Sequence, residues 1–286
     1  MVRPHGIKGP KRKKREEKYD KEENEADELG MGTSKRANRS TKEMPMEEKE
    51  EEEQEEVGVQ SNEMDGIPIV PSDQNAKKPG VIFILEKASL EVAKVGKSYQ
   101  ILNSDDHSNF LRKNKKDPAD YRPDIVYQAL LSILDSPINK AGRLRAVYVK
   151  TDKGVLFEVR PHVRIPRTYK RFAGIMLQLL QKLSITAVGK REKLLRVIKN
   201  PVTQYLPLNS QKIGFSFSSE KLVKMNKYVT TVGDEKDLVF VVGAMAHGKI
   251  DCDYIDDFIA ISGYPMSAAW CIARICEALA DKWDVL

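Results

Sequence analysis

The chain has 286 residues, 41% of them apolar, which is room for one or two domains with a core. Nothing approaches the ~18 consecutive apolar residues of a membrane span, and the basic first residues lack the apolar centre of a secretory leader. The formal net charge of +6 is unevenly spread: residues 1–78 carry 16 Lys/Arg against 20 Asp/Glu, and residues 79–286 carry 32 against 22.

Residues 1–78 are predicted to be a disordered charged tail, because Tyr19 is their only aromatic and they cannot bury enough apolar surface to offset chain entropy. Lys8 to Lys18 is a basic cluster of the nuclear-localisation or nucleic-acid type, and Glu47 to Glu56 is an acidic run. Order is expected from Pro79-Gly80 onward, as one domain over 79–286. Val81 to Leu85 is continuously apolar and reads as a buried central strand. A polar, mostly helical region is predicted through Lys116. Arg122-Pro123-Asp124 then opens a helix over Ile125 to Leu134, with Pro123 in its first turn and Asp124 at the positive end of its dipole. Asp135-Ser136-Pro137 stops it.

Ala146 to Val149 and Val155 to Val159, joined by Thr151-Asp152-Lys153-Gly154, read as a β-hairpin inserted into the fold. Thr168 to Leu183 has the apolar stripe of an amphipathic helix, and a basic helix is predicted over Lys190 to Val197. Ile213 to Phe217, Leu238 to Val242 and Phe258 to Ile261 read as strands, and a last helix opens at Ser267. Strands alternating with helices, with continuously apolar strands, predict an α/β fold: a mostly parallel sheet covered by helices.

Two constellations carry chemistry. Leu238 to Val242 ends at Gly243 and a small-residue loop closing at Gly248; Phe258 to Ile261 ends at Ser262-Gly263-Tyr264-Pro265. Two such loops, expected to leave adjacent strands, would let backbone approach a ligand closely. The second constellation is Arg164-Ile165-Pro166-Arg167-Thr168-Tyr169-Lys170-Arg171. Here Pro166 stiffens a turn before a helix, and Arg171 follows Arg167 by one helical turn, so that the two can share a face. Between Arg143 and Lys199 there are 15 Lys/Arg against Asp152, Glu158 and Glu192 alone. That excess points to a polyanion, with guanidinium groups clamping phosphate or stacking on bases. A merely solvated face is the alternative. Neither the odd set Cys252, Cys271 and Cys276 nor the scattered His5, His107, His162 and His247 has metal-ligand spacing, and the cysteines fit a reducing compartment.

The blocks VIFILEKASLEVAKVGKSYQILN (81–103), RPDIVYQALLSILDSPINKAG (122–142), RIPRTYKRFAG (164–174), LLRVIKNPV (194–202), FVVGAMAHGK (240–249) and ISGYPMSAA (261–269) resemble the nucleolar essential protein family. These are small-subunit ribosomal RNA pseudouridine-N(1)-methyltransferases of the SPOUT, trefoil-knotted class. The resemblance covers nearly all of residues 80–286. It implies a C-terminal knot in which S-adenosylmethionine is held by Phe215 and Ser216, by Gly243 with Gly248, Lys249 and Ile250, and by Ile261, Ser262, Gly263, Tyr264, Pro265 and Met266. Relatives often carry Asn where this chain has Gly263. The resemblance also implies RNA contacts from Arg122, Arg164, Arg167 and Arg171, with Asp124 orienting Arg122. Asp124 is at the same time the one candidate base. A homodimer, pre-ribosomal assembly partners, and a nuclear, nucleolar location follow from the same resemblance. The competing reading is a non-catalytic ribosomal-RNA-binding assembly factor.

Overall fold

Continuous burial of Val81 to Glu86 is the centre of the architecture. The computed structural model describes residues 78–189, 191–232 and 236–285; the tail predicted to be disordered lies, except for Lys78, outside them. β1 (Val81–Ala88) is the expected central strand. Two short strands, β2 (Val92–Val95) and β3 (Ser98–Ile101), follow as an isolated antiparallel hairpin. This corrects the helix predicted there. Val95 pairs with Ser98 across a two-residue turn, Gly96-Lys97, and Gly96 takes φ +65°, a turn conformation that only glycine adopts without strain.

Helix resumes in α1 (Ser104–Lys113), whose cap Asn103 accepts the Asp106 N–H at 2.7 Å. α2 (Pro123–Leu134) starts at the predicted proline, and α3 (Pro137–Lys140) follows. β4 (Leu144–Thr151) and β5 (Leu156–Val159) form the predicted hairpin, but β4 also pairs parallel with β1, so it is integral to the sheet. α4 (Tyr169–Lys182) precedes β6 (Ser184–Thr186) and β7 (Lys193–Ile198). The helix predicted over Lys190 to Val197 is therefore wrong. Pairing with β5 and β6 fixes Lys193 to Ile198 as a strand in which Leu195 is buried and the neighbouring Arg196 reaches Glu158. Tertiary pairing overrides a weak local preference. β8 (Ser210–Phe215), α5 (Met225–Thr231), β9 (Asp237–Gly243), β10 (Asp257–Ile259) and α6 (Ala268–Lys282) complete the chain.

The strands form one eight-stranded sheet in the order β10-β8-β9-β1-β4-β5-β7-β6. From β10 to β4 every neighbour is parallel; β5, β7 and β6 extend it antiparallel. Strand periodicity divides the burial between two faces. Val81, Phe83 and Leu85 of β1, with Leu238, Phe240 and Val242 of β9, enter the larger core with residues of α2, α4, α5 and α6. Ile82, Ile84, Val239 and Val241 enter a smaller core capped by Val202, by Ile250 and Tyr254 of the connection from β9 to β10, and by Phe258 of β10. Burial on both faces is why these strands read as unbroken apolar runs.

The Phe83 and Phe240 rings lie 5.7 Å apart across the β1–β9 pair, both fully buried. Phe240→Ala should cost about 3–5 kcal/mol, the usual range for emptying an aromatic core site. A urea denaturation curve checks this; an unchanged midpoint would show that the site collapses around the deletion.

Candidate cofactor and RNA site

Parallel strands end at the same edge of a sheet, and ligands of open α/β sheets bind outside their carboxyl ends. The register fixes which residues meet there. Gly214 lies opposite Val241, Phe215 opposite Ile259, and Gly243 opposite Glu86. The three segments predicted to hold a cofactor are thus brought to one edge: 215–216 after β8, 243–250 after β9, and 261–266 after β10. Ser216 N–H donates to the Ile259 carbonyl at 3.1 Å, which ties the first segment to the end of the strand that leads into the third.

The segments differ in how they are built. Ile250 and Ile261 are buried, Lys249, Gly263, Tyr264 and Pro265 are exposed, and Ser262 and Met266 lie between. Gly248 holds φ +104°, which side-chain-bearing residues rarely adopt. At Gly243 an added Cβ would stand 2.9 Å from the Met245 sulfur and methyl, so that glycine leaves room for a flexible side chain. The Phe215 ring packs on Phe240 at 5.8 Å and is partly a core group. Among the described residues, no backbone N–H from Met245 to Ile250 or from Ile261 to Gly263 donates to another protein group. Peptide groups left over in this way suit an adenosyl ligand, whose base edge and carboxylate need donors and acceptors.

A cavity of about 490 Å³ opens beside this edge. Met245, Ala246 and His247 form one wall, and Ser89, Glu91 and Tyr121 belong to its lining as well. Glu91 accepts hydrogen bonds from Lys116 and, at 3.0 Å, from the Tyr121 hydroxyl, with Lys153 Nζ 3.6 Å away. Burial pushes its carboxyl pKa up, but these partners outweigh burial and hold it below the ordinary range.

Arg122 follows Tyr121 directly. Its Nε and Nη2 donate to the two Asp124 oxygens at 2.8 and 2.7 Å, and its backbone N–H donates to Ser89 Oγ at 3.2 Å. The fork presents Arg122 in one orientation. It also holds the Asp124 carboxyl below its usual range, which makes that group a poor proton acceptor.

The arginine turn departs from its prediction in two respects. α4 begins at Tyr169, so Arg167 precedes the helix and does not share a helical face with Arg171. Arg167 is also ion-paired with Asp135 at the end of α2, an acid remote in sequence. The side chains of Arg164 and Arg171 are exposed and make no hydrogen bond or ion pair with the described residues. The turn itself is fixed from below: Tyr127 donates its hydroxyl to the Pro166 carbonyl at 3.1 Å, and its ring packs on Tyr169 and Phe172. No three His, Cys, Asp or Glu side chains gather into a metal-holding group among the described residues, nor is any helix there long and apolar enough to cross a membrane.

The family model described as EMG1/NEP1 methyltransferase matches residues 83–280. The chain belongs to that family. It is 52% identical over 214 residues to the ribosomal RNA small subunit methyltransferase nep-1 of Caenorhabditis elegans, covering 75% of this chain and 92% of that protein. It is 45% identical over 233 residues to the human ribosomal RNA small subunit methyltransferase NEP1, covering 80% and 94%. The crystal structure of Archaeoglobus fulgidus Nep1 bound to S-adenosylhomocysteine shares the fold, with a TM-score of 0.60 at 21% identity over 72% of this chain and 99% of that one.

Seen as an EMG1/NEP1 methyltransferase, the chain has features at this edge that its sequence did not single out. Glu86 and Lys87 at the end of β1, and Tyr254 in the β9–β10 connection, all bond to one another or to the 243–250 segment. The available signal was a charged pair closing an otherwise apolar strand.

The Asp124 pairing has a sign that can be tested. Because its folded pKa lies below the ordinary carboxyl value, the pair stabilises above that value, and the contribution is lost as pH falls through the folded pKa. The melting-temperature gap between the parent and Asp124→Asn should be open at neutral pH and should close in acid. A gap independent of pH would mean that Asp124 acts through packing alone.

Proposed function

We propose that the protein transfers a methyl group from S-adenosylmethionine to N-1 of a pseudouridine in small-subunit ribosomal RNA, in the service of small-subunit biogenesis. The supporting observation is the convergence of three cofactor-type segments on one sheet edge, beside a cavity whose lining includes Tyr121, the residue before Arg122. The donor supplies an electrophilic methyl on a sulfonium. The chain's part is to place the target nitrogen in line with that methyl, and positioning of this kind accounts for a large share of such a barrier.

In this reading Phe215, Ser216, Gly243, Gly248 to Ile250 and Ile261 to Met266 surround the donor. The target base leaves its stack, at a cost of about a few kcal/mol, and enters the cavity. Arg122, held by Asp124, with Arg164 and Arg171, grips the RNA around it. Arg167 joins them by exchanging Asp135 for phosphate. His247 lines the cavity and serves orientation or packing. The trefoil knot, a homodimer, pre-ribosomal assembly partners and a nucleolar location belong to the same proposal. The exposed Phe217 and Leu222 after β8, Tyr264 after β10 and Trp270 on α6 offer apolar surface for a second copy.

Two measurements test it. Gly248→Val places a β-branched residue at φ +104°, a strain of about 1–3 kcal/mol. The variant should bind S-adenosylmethionine at least about tenfold more weakly by calorimetry, while RNA binding persists. Parent-like donor affinity would remove this loop from the site. Arg171→Ala and Arg164→Ala should each weaken binding of a pseudouridine-containing hairpin and reduce its salt slope by about one. An unchanged slope would make this surface a solvated face. Arg167→Ala should have the smaller effect of the three, because its ion pair must first be given up.

A further inference from the structure

We propose that Glu86 and Lys87 form a clamp that sets the shape of the 243–250 loop, making Glu86, Lys87 and Tyr254 positioning residues for donor binding; the inference rests on the reading of that loop as part of the donor site. Three ties run from this dipeptide to the loop and its continuation. At the entrance, the Glu86 carbonyl accepts the Ala244 N–H at 2.8 Å. In the middle, Lys87 Nζ donates to the Lys249 carbonyl at 2.8 Å. Beyond the exit, the Tyr254 hydroxyl donates to Glu86 Oε1 at 2.8 Å.

Two adjacent strand residues normally point to opposite faces, so one dipeptide should not reach a loop with one side chain and the continuation of that loop with the other. Lys87 breaks the alternation. Its φ is +57°, a left-handed conformation that is costly without glycine, and the β1–β4 register shifts between Leu85 and Ala88 at this point. The strain sits where the loop is held. Glu86 is only 3% exposed. A carboxylate buried so deeply needs partners, and it has Tyr254 and, at 3.6 Å, Lys150 Nζ. Burial, followed by the Glu86 charge, pushes the Tyr254 hydroxyl far above its ordinary pKa, so it stays a donor. A buried ion pair adds little to stability by itself. What Glu86 does is fix geometry: through its carbonyl and through Tyr254 it holds the chain on either side of the segment that carries Gly248, Lys249 and Ile250.

The test uses the full chain and S-adenosylhomocysteine titrated by calorimetry without RNA, followed by steady-state methyl transfer to a pseudouridine hairpin. Lys87→Met and Tyr254→Phe each delete one tie and keep the bulk of the side chain. Each should weaken the ligand about tenfold, with the donor KM rising more than kcat falls and with hairpin affinity unchanged for Tyr254→Phe. Lys87→Arg keeps a donor and should recover most of the lost affinity. Parent-like affinity in both deletion variants, alongside a crippled Gly248→Val, overturns the clamp and leaves the donor loop standing. Parent-like affinity in Gly248→Val as well would fell the loop assignment, and the clamp with it. A Tyr254→Phe variant that loses melting temperature and hairpin affinity together with donor affinity would reduce the residue to a structural prop and also overturn the clamp.

Discussion

The parallel ladder between β1 and β9 sets where every loop of the site begins. Its register places Val81 against Leu238 and runs without a shift to Glu86 against Gly243. On one face it stacks Phe83 on Phe240, and on the other it buries Ile84 beside Val241. A slip of one residue would turn each of these side chains to the wrong core, so the register is held by apolar burial on both sides. β4 and β8 are then added to the flanks of this pair, and β10 to β8. Because all five strands run the same way, the chain leaves the sheet at one edge three times in close succession. The site is a consequence of strand direction before it is a consequence of any particular side chain.

Charge is distributed around that scaffold in two different ways. Acids near the edge are engaged: Glu86 by Tyr254 and Lys150, Glu91 by Lys116, Tyr121 and Lys153, and Asp124 by Arg122. Satisfied carboxylates of this kind hold backbone and guanidinium groups in place, and the partners of Glu91 and Asp124 keep those two carboxyls below their ordinary range. The cations of the arginine turn are the reverse. Arg164 and Arg171 point outward without partners among the described residues, on a turn whose backbone is pinned by Tyr127. Rigid backbone under unpaired cations is an economical arrangement for a polyanion, because little order has to be created on binding. Under the proposed function, fixed acids inside and free cations outside separate the task of shaping the pocket from the task of holding RNA.

The sequence by itself determined the central strands, the helices at Pro123, Thr168 and Ser267, the β4–β5 hairpin and the loops at Gly243–Gly248 and Ser262–Pro265. In each case the reason is local: unbroken apolar runs, a proline or cap at the start, glycine where backbone must turn. It also carried the family resemblance, since ordered blocks of residues survive in the chain whatever their place in space. Only the tertiary structure decided the rest. Residues 193–198 became a strand because β5 and β6 offer partners that a local pattern cannot register, and 92–101 became a hairpin through a single two-residue turn. Arg167 acquired Asp135, 32 positions away, and the Glu86-Lys87 step met Lys249 and Tyr254 more than 160 positions downstream. Such contacts depend on the order and direction of strands in the sheet, which burial on both faces selects for the whole domain at once and no segment encodes alone.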